Sequence, residues 1–221
     1  MSSRNSQRRV SAVRPHKRNP DRVEVDFGDD MVVITPEYLV RAGIRVGREL
    51  ADAELVELET ESLVVQAMDR AIVLLSHRAR ATVELRRRLT RLEYPAFAID
   101  EALERLTRLG YLDDASFARQ LARGRMLASG QSRFRIRSEL LRKGVDRATA
   151  EEAIDETLAA EDVDERSIIE RVAAKKAKSL ARLDPQTRRR RLYAFLARRG
   201  FAIDDINRVV SRQMDPGDET P

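Results

Sequence analysis

The chain has 221 residues, 42% of them hydrophobic and 36% charged, enough apolar material for one larger domain or two small ones. With no Cys, disulfides and thiolate metal sites are excluded, and with no Trp, four Tyr and six Phe the core must be built from Leu, Ile, Val and Ala. A formal charge of +5 permits contact with nucleic acid without requiring it, and the longest apolar run, Ala71 to Leu75, falls far short of the roughly 20 residues of a membrane span. The first residues hold no apolar stretch suited to a signal peptide, so the expectation is a cytoplasmic protein with no membrane partner, and a monomer is expected alongside it. The charge is unevenly spread: +6 over residues 1–20, −8 over 21–65, +1 over 66–114, +3 over 115–160 and +3 over 161–221. Only five of the 42 basic residues are lysines. That excess of arginine is read either as codon bias or as a preference for bidentate phosphate and carboxylate contacts.

Residues 1–20 hold six basic and no acidic residues, with Val10 and Val13 as the sizeable apolar groups, and read as a disordered basic arm. The arm is either a solvated tail or a DNA contact. Residues 21–65 read as an extension with a small β-hairpin: Val23, Val25 and Phe27 alternate, Gly28, Asp29 and Asp30 can turn the chain, and Met31 to Ile34 resume it. Pro36 suits the first turn of a short helix through Val40, and Gly43 and Gly47 interrupt the chain before the acidic stretch Glu49 to Glu61. After Leu63 the whole chain reads as helix.

Within the helical region one pattern recurs. Residues 133–145 (RFRIRSELLRKGV) align with the stretch starting at Arg189: Arg133 with Arg189, Arg135 with Arg191, Ile136 with Leu192, Leu140 with Leu196, Arg142 with Arg198, Lys143 with Arg199 and Gly144 with Gly200. A further copy lies upstream, where Leu85, Leu89 and Arg91 answer Ile136, Leu140 and Arg142. Each copy puts two apolar residues four apart on one helix face, and the later two end in glycine, the residue suited to a left-handed helix stop. Glu93 stands in that place in the first copy. A second helix follows each stop (Asp100 to Leu109, Thr149 to Leu158, Asp204 to Val210), with a capping-box spacing at Thr149 and Glu152. A longer helix precedes each basic one, at about Gln66 to Arg80, Ser116 to Ala128 and Ser167 to Leu180.

The expected fold class is therefore mainly α. Three tandem three-helix repeats, at 66–114, 115–160 and 161–212, would form an elongated curved rod, preceded by the hairpin region and followed by a disordered tail at 213–221.

Gly110-Tyr111-Leu112-Asp113-Asp114 followed by Phe117-Ala118, and Gly130 to Ile136 followed by Glu139-Leu140 and Lys143-Gly144-Val145, resemble the two signature stretches of the RecX family. Glu84-Leu85 and Asp100 to Leu103 fit the first repeat, so the resemblance spans about 66–212. Residues 22–65 resemble the hairpin-bearing extension of longer members. The resemblance implies a regulatory protein that binds along the RecA filament on single-stranded DNA, lowering its ATP hydrolysis, its strand exchange and its stimulation of repressor self-cleavage in the SOS response. It also implies partners, RecA and single-stranded DNA, and a role in the regulation of DNA repair and recombination. A repeated polar face suits a periodic polymer, where weak contacts add through effective concentration.

Arg133, Arg135, Arg142 and Lys143, with Arg189, Arg191, Arg198 and Arg199 one repeat later, are the candidates for contact with DNA or RecA. The alternative is a solvated face whose charge complements the helix C-terminus. Gly110, Tyr111, Leu112, Asp113, Asp114 and Phe117, with Gly144 and Gly200, are read as a structural motif: Tyr111, Leu112 and Phe117 form an apolar cluster at the turn between repeats, and Asp113 or Asp114 caps the following helix. No catalytic residue, cofactor or metal site is expected, since there is no phosphate-binding glycine loop and the two histidines, His16 and His77, are isolated. Two rival functions remain, an autonomous helical DNA-binding regulator and a helical scaffold for an unrelated partner.

Overall fold

The structure, a computed structural model, describes residues 8–214, which divide into two compact units, one comprising 8–80 with 84–112 and the other 81–83 with 113–214. The first unit opens with short strands: β1 (Arg8–Arg9), β2 (Ala12–Pro15), β3 (Val23–Asp26), β4 (Met31–Ile34) and, after helix α1 (Pro36–Arg41), β5 (Glu49–Leu50). Strands β2, β3 and β4 form an antiparallel meander, and β1 pairs with β5. The expected hairpin is β3–β4, turned at Gly28 with φ +95° and closed by the Phe27 amide donating to the Asp30 carbonyl at 2.9 Å.

The arm expected to be disordered through residue 20 is instead ordered from Arg8. Its two valines explain this: Val10 is 1% exposed and Val13 packs against the same cluster of Val25, Ile34, Tyr38, Ile44, Leu50 and Leu58. Two of its arginines pair with the following segment, Arg8 with Asp30 at 3.0 Å and Arg14 with Asp26 at 3.9 Å, and just beyond it Arg22 pairs with Asp69 at 2.7 Å. Residues 1–7 of the arm lie outside the described residues.

Helix α2 runs over Asp52–His77, so the acidic stretch is its first half and the boundary expected between 65 and 66 falls inside one continuous helix. Glu and Leu are strong helix formers, and Glu54 completes the start by accepting from the Ala51 amide at 3.0 Å. Helices α3 (Thr82–Thr90) and α4 (Ala96–Arg108) complete the first repeat, whose core joins Met68, Ala71 and Leu74 to Leu85, Leu89, Ile99, Leu103 and Leu106. Arg105 reaches the buried Glu61 through two bonds of 2.7 and 2.8 Å. That pairing, opposed by burial, raises the Arg105 pKa.

The second unit holds the other two repeats on one core. Helix α5 (Asp114–Arg123) passes into a π-helical turn (Gly124–Ala128) where a single helix was expected, followed by α6 (Arg133–Lys143) and α7 (Arg147–Ala160). Helices α8 (Glu165–Ser179), α9 (Pro185–Ala197) and α10 (Ile203–Met214) form the third repeat. Of the tail expected from residue 213, Gln213 and Met214 belong instead to α10, and the remainder lies outside the described residues. The cap of α7 is Asp146, accepting from the Thr149 amide at 2.9 Å, where Thr149 itself was expected to cap. The reason is one of register, because α7 starts two residues before Thr149 and leaves it already helical.

The repeat is written in the core. Its apolar pairs, Leu85 and Leu89, Ile136 and Leu140, and Leu192 and Leu196, are all 0% exposed.

Candidate functional site

The basic helices α6 and α9 are placed by their ends. Ser132, 1% exposed, caps α6 by accepting from the Arg135 amide at 3.2 Å, while its amide donates to the Arg199 carbonyl at 3.0 Å and its hydroxyl to the Gly200 carbonyl at 2.7 Å. The start of α6 therefore sits on the residues that end α9, Arg199 and Gly200. That contact demands glycine at 200, which has φ +83° and where a Cβ would lie 2.8 Å from Ser132 Oγ and 2.9 Å from Arg135 Cβ. Gly144, the left-handed stop of α6 at φ +95°, is needed likewise, since a Cβ there would meet Val83 Cβ at 2.3 Å. Gly130 seats the preceding loop on α8, where a Cβ would come within 2.2 Å of Val172 Cγ1.

The eight candidate cations fall into different environments. Arg133, with its guanidinium on Asp155 at 2.5 Å, is committed to an internal ion pair. Lys143 stacks over the Phe117 ring at 5.9 Å, and together with Arg142 it adds to the positive field on Glu139. Glu139 itself is held by Arg125 at 2.8 Å, which drives its carboxyl below the ordinary range. Arg199 lies over the Phe195 ring at 3.7 Å and donates to the Ser129 carbonyl at 3.1 Å, so it braces the joint between α6 and α9. Its pKa is lowered first by burial and then by the neighbouring Arg198 charge. Arg135, Arg189, Arg191 and Arg198 are exposed, with no carboxylate partner among the described residues.

The motif at the turn after the first repeat is rearranged from its expected form. Leu112 packs in the core of the first unit and Phe117 in that of the second, while Tyr111 is 56% exposed, so the three do not make one cluster. The chain passes from one unit to the other between Leu112 and Asp113. Asp113 caps α5, accepting from the Ser116 amide at 2.8 Å. Asp114 accepts from the Thr82 amide at 2.8 Å and its hydroxyl at 3.1 Å. Gly110 has φ +78° and open space around it.

Three positions passed unnoticed in the sequence. Ser132 is the hub of the α6–α9 joint, and its only sequence signal is a serine placed ahead of a helix. Phe134 and Ile203 are 60% and 64% exposed and line an open groove with Tyr193. Among the described residues no cluster of three or more His, Cys, Asp or Glu could hold a metal ion, and no helix is long and apolar enough to cross a membrane.

Comparison with known proteins agrees with this division into repeats. Sequence profiles described as the first, second and third three-helix domains of RecX match residues 67–106, 113–154 and 164–210. A protein named regulatory protein RecX from Corynebacterium efficiens is 38% identical over 161 residues, covering 69% of this chain and 74% of its own. Its counterpart in Amycolatopsis mediterranei is 35% identical over 145 residues, or 66% and 81% of the two chains. A solved structure titled as that of regulatory protein RecX superposes with a TM-score of 0.71 at 17% identity, covering 92% of this chain and 98% of that one, a likeness of fold. Three successive three-helix domains matched in order, with relatives of this identity and coverage, establish that the chain belongs to the RecX family of regulatory proteins.

Proposed function

We propose that this chain modulates the RecA recombinase filament in the cytoplasm, lowering its ATP hydrolysis, strand exchange and stimulation of repressor self-cleavage. The observation that carries the reading is the recurrence of one helical unit three times, each with the same fully buried pair. A unit that recurs presents related surfaces to a partner that also recurs, and a filament of identical protomers is such a partner. Membership of a family of regulatory proteins supports a protein target over a reaction of its own.

The test is RecA-catalysed ATP hydrolysis on single-stranded DNA with the purified chain added below one molecule per RecA. Hydrolysis should fall in proportion to the added protein, because contact with a few protomers affects a whole stretch of filament. An unchanged rate, with duplex binding that persists in high salt, would instead favour an autonomous DNA-binding regulator.

A further inference from the structure

Deepening that reading, on which it rests for its biological partner, we propose that the third repeat carries the nucleic-acid contact, through a cationic face on α8 and α9 that takes the phosphodiester backbone. Between Arg171 and Gly200 the chain holds eleven basic residues and a single carboxylate. The net charge of the whole third repeat conceals this, because acidic residues crowd its two ends. The carboxylate, Asp184, is itself occupied as the cap of α9, accepting from the Thr187 amide at 2.9 Å.

The second repeat has comparable arginines, but most of them are spent internally. Arg119 pairs with Glu156, Arg123 with Glu161, Arg125 with Glu139, Arg133 with Asp155 and Arg137 with Glu151. None of the eleven cations from Arg171 to Arg199 forms an ion pair among the described residues. A paired arginine must give up its carboxylate to meet a phosphate, whereas an unpaired one exchanges only water and counterions. The difference decides which repeat can bind a polyanion.

The geometry gathers these charges. The Phe195 ring on α9 is covered by Arg199 at 3.7 Å and by Lys176 of α8 at 5.4 Å, which joins the two helices edge to edge through cations. Arg191 and Arg198, seven residues apart, share one side of α9 and are exposed. Arg135 arrives from α6 with its Cβ close to Gly200, so its exposed side chain starts at the end of α9. An acidic protein surface would also attract such a face. Protein interfaces, however, are depleted of charge at their centre and anchored by aromatic groups, and here the aromatic ring is covered by the chain's own cations. Affinity resting on charge alone suits phosphates.

The experiment measures anisotropy of a fluorescein-labelled oligo-dT of about 30 nucleotides, with the full chain, over NaCl concentrations from about 50 to 300 mM. The triple variant Arg135→Gln, Arg191→Gln, Arg198→Gln should bind at least about tenfold more weakly at the lowest salt, and the slope of log K against log salt should shrink by about 2, near 0.7 per lost contact. A control removing three paired or peripheral charges (Arg119→Gln, Arg123→Gln, Arg147→Gln) should change the slope by less than about 1. Arg191→Lys with Arg198→Lys should keep the slope, because phosphate contact reads charge, and unchanged circular dichroism melts exclude misfolding. Equal slopes for the triple variant and the parent overturn the proposal. So does a triple variant that binds oligo-dT normally but no longer slows RecA, which assigns the face to protein. If the parent binds oligo-dT with the expected slope yet leaves RecA hydrolysis unchanged, the filament reading fails and this one stands.

Discussion

Glu93 adopts φ +64°, the left-handed conformation that Gly144 and Gly200 adopt at the corresponding stops of the later repeats. The backbone requirement therefore recurs even where the residue does not. A side chain there costs conformational energy that glycine avoids, so Glu93→Gly should stabilise the chain by about 0.5–1 kcal/mol, read as a raised urea midpoint. The glycines predict the converse, graded by their surroundings. Gly110→Ala meets strain alone, with nothing within 4 Å of the added Cβ, and should cost about 1 kcal/mol. Gly144→Ala adds a 2.3 Å approach to Val83 and should cost roughly 2–4 kcal/mol in the same titration. The glycine stops were readable as residue types. Ser132 was not, since a serine ahead of a helix looks alike whether it caps one helix or also ties down the end of another.

At the scale of the element, four helices of the second unit, α5, α7, α8 and α9, are started by aspartates. Asp146 is held below its ordinary pKa of 3.8 by the Thr149 side chain first and its amide second. For Asp164 and Asp184 the Ser167 and Thr187 amides act first and the side chains second. A carboxyl whose folded pKa lies below its unfolded value stabilises the fold above the unfolded value and loses that contribution as pH falls through the folded one. The caps are thus intact at neutral pH and fail below about pH 4. Melts followed by circular dichroism should show stability dropping from pH 5 to pH 2.5, and Asp146→Asn, Asp164→Asn, Asp184→Asn should flatten that drop. An equally steep fall in the variant would assign acid sensitivity to the ion pairs instead.

For the whole molecule, the division into two units gives each its own core, and Phe117 belongs to the second. Phe117→Ala should cost about 3–5 kcal/mol. Hydrogen exchange should place the loss of protection in α5, α6 and α7, leaving α2 and α4 protected. Loss of protection spread evenly over both units would contradict separate cores. Charge is also organised at this scale. Pairing occupies most arginines of the second repeat, whereas the cations from Arg171 to Arg199 in the third form no ion pair among the described residues.

The mainly helical class, the three copies and their buried pairs were legible from sequence because a helix periodically buries every third or fourth residue, a local rule visible without coordinates. The β3–β4 hairpin was legible for a similar reason, its turn lying between its own strands. Three things were settled by tertiary structure. Whether Arg8–Pro15 is ordered depends on β3 accepting Ala12–Pro15 and on β5, about forty residues away, accepting Arg8–Arg9, and α2 runs unbroken from Asp52 across the expected boundary. Which arginines are available depends on carboxylates up to 47 positions distant, as Asp69 is from Arg22. Composition counts charges, but an ion pair is a matter of separation in space, and only the folded chain brings Asp155 to Arg133 while leaving Arg191 and Arg198 without a partner among the described residues.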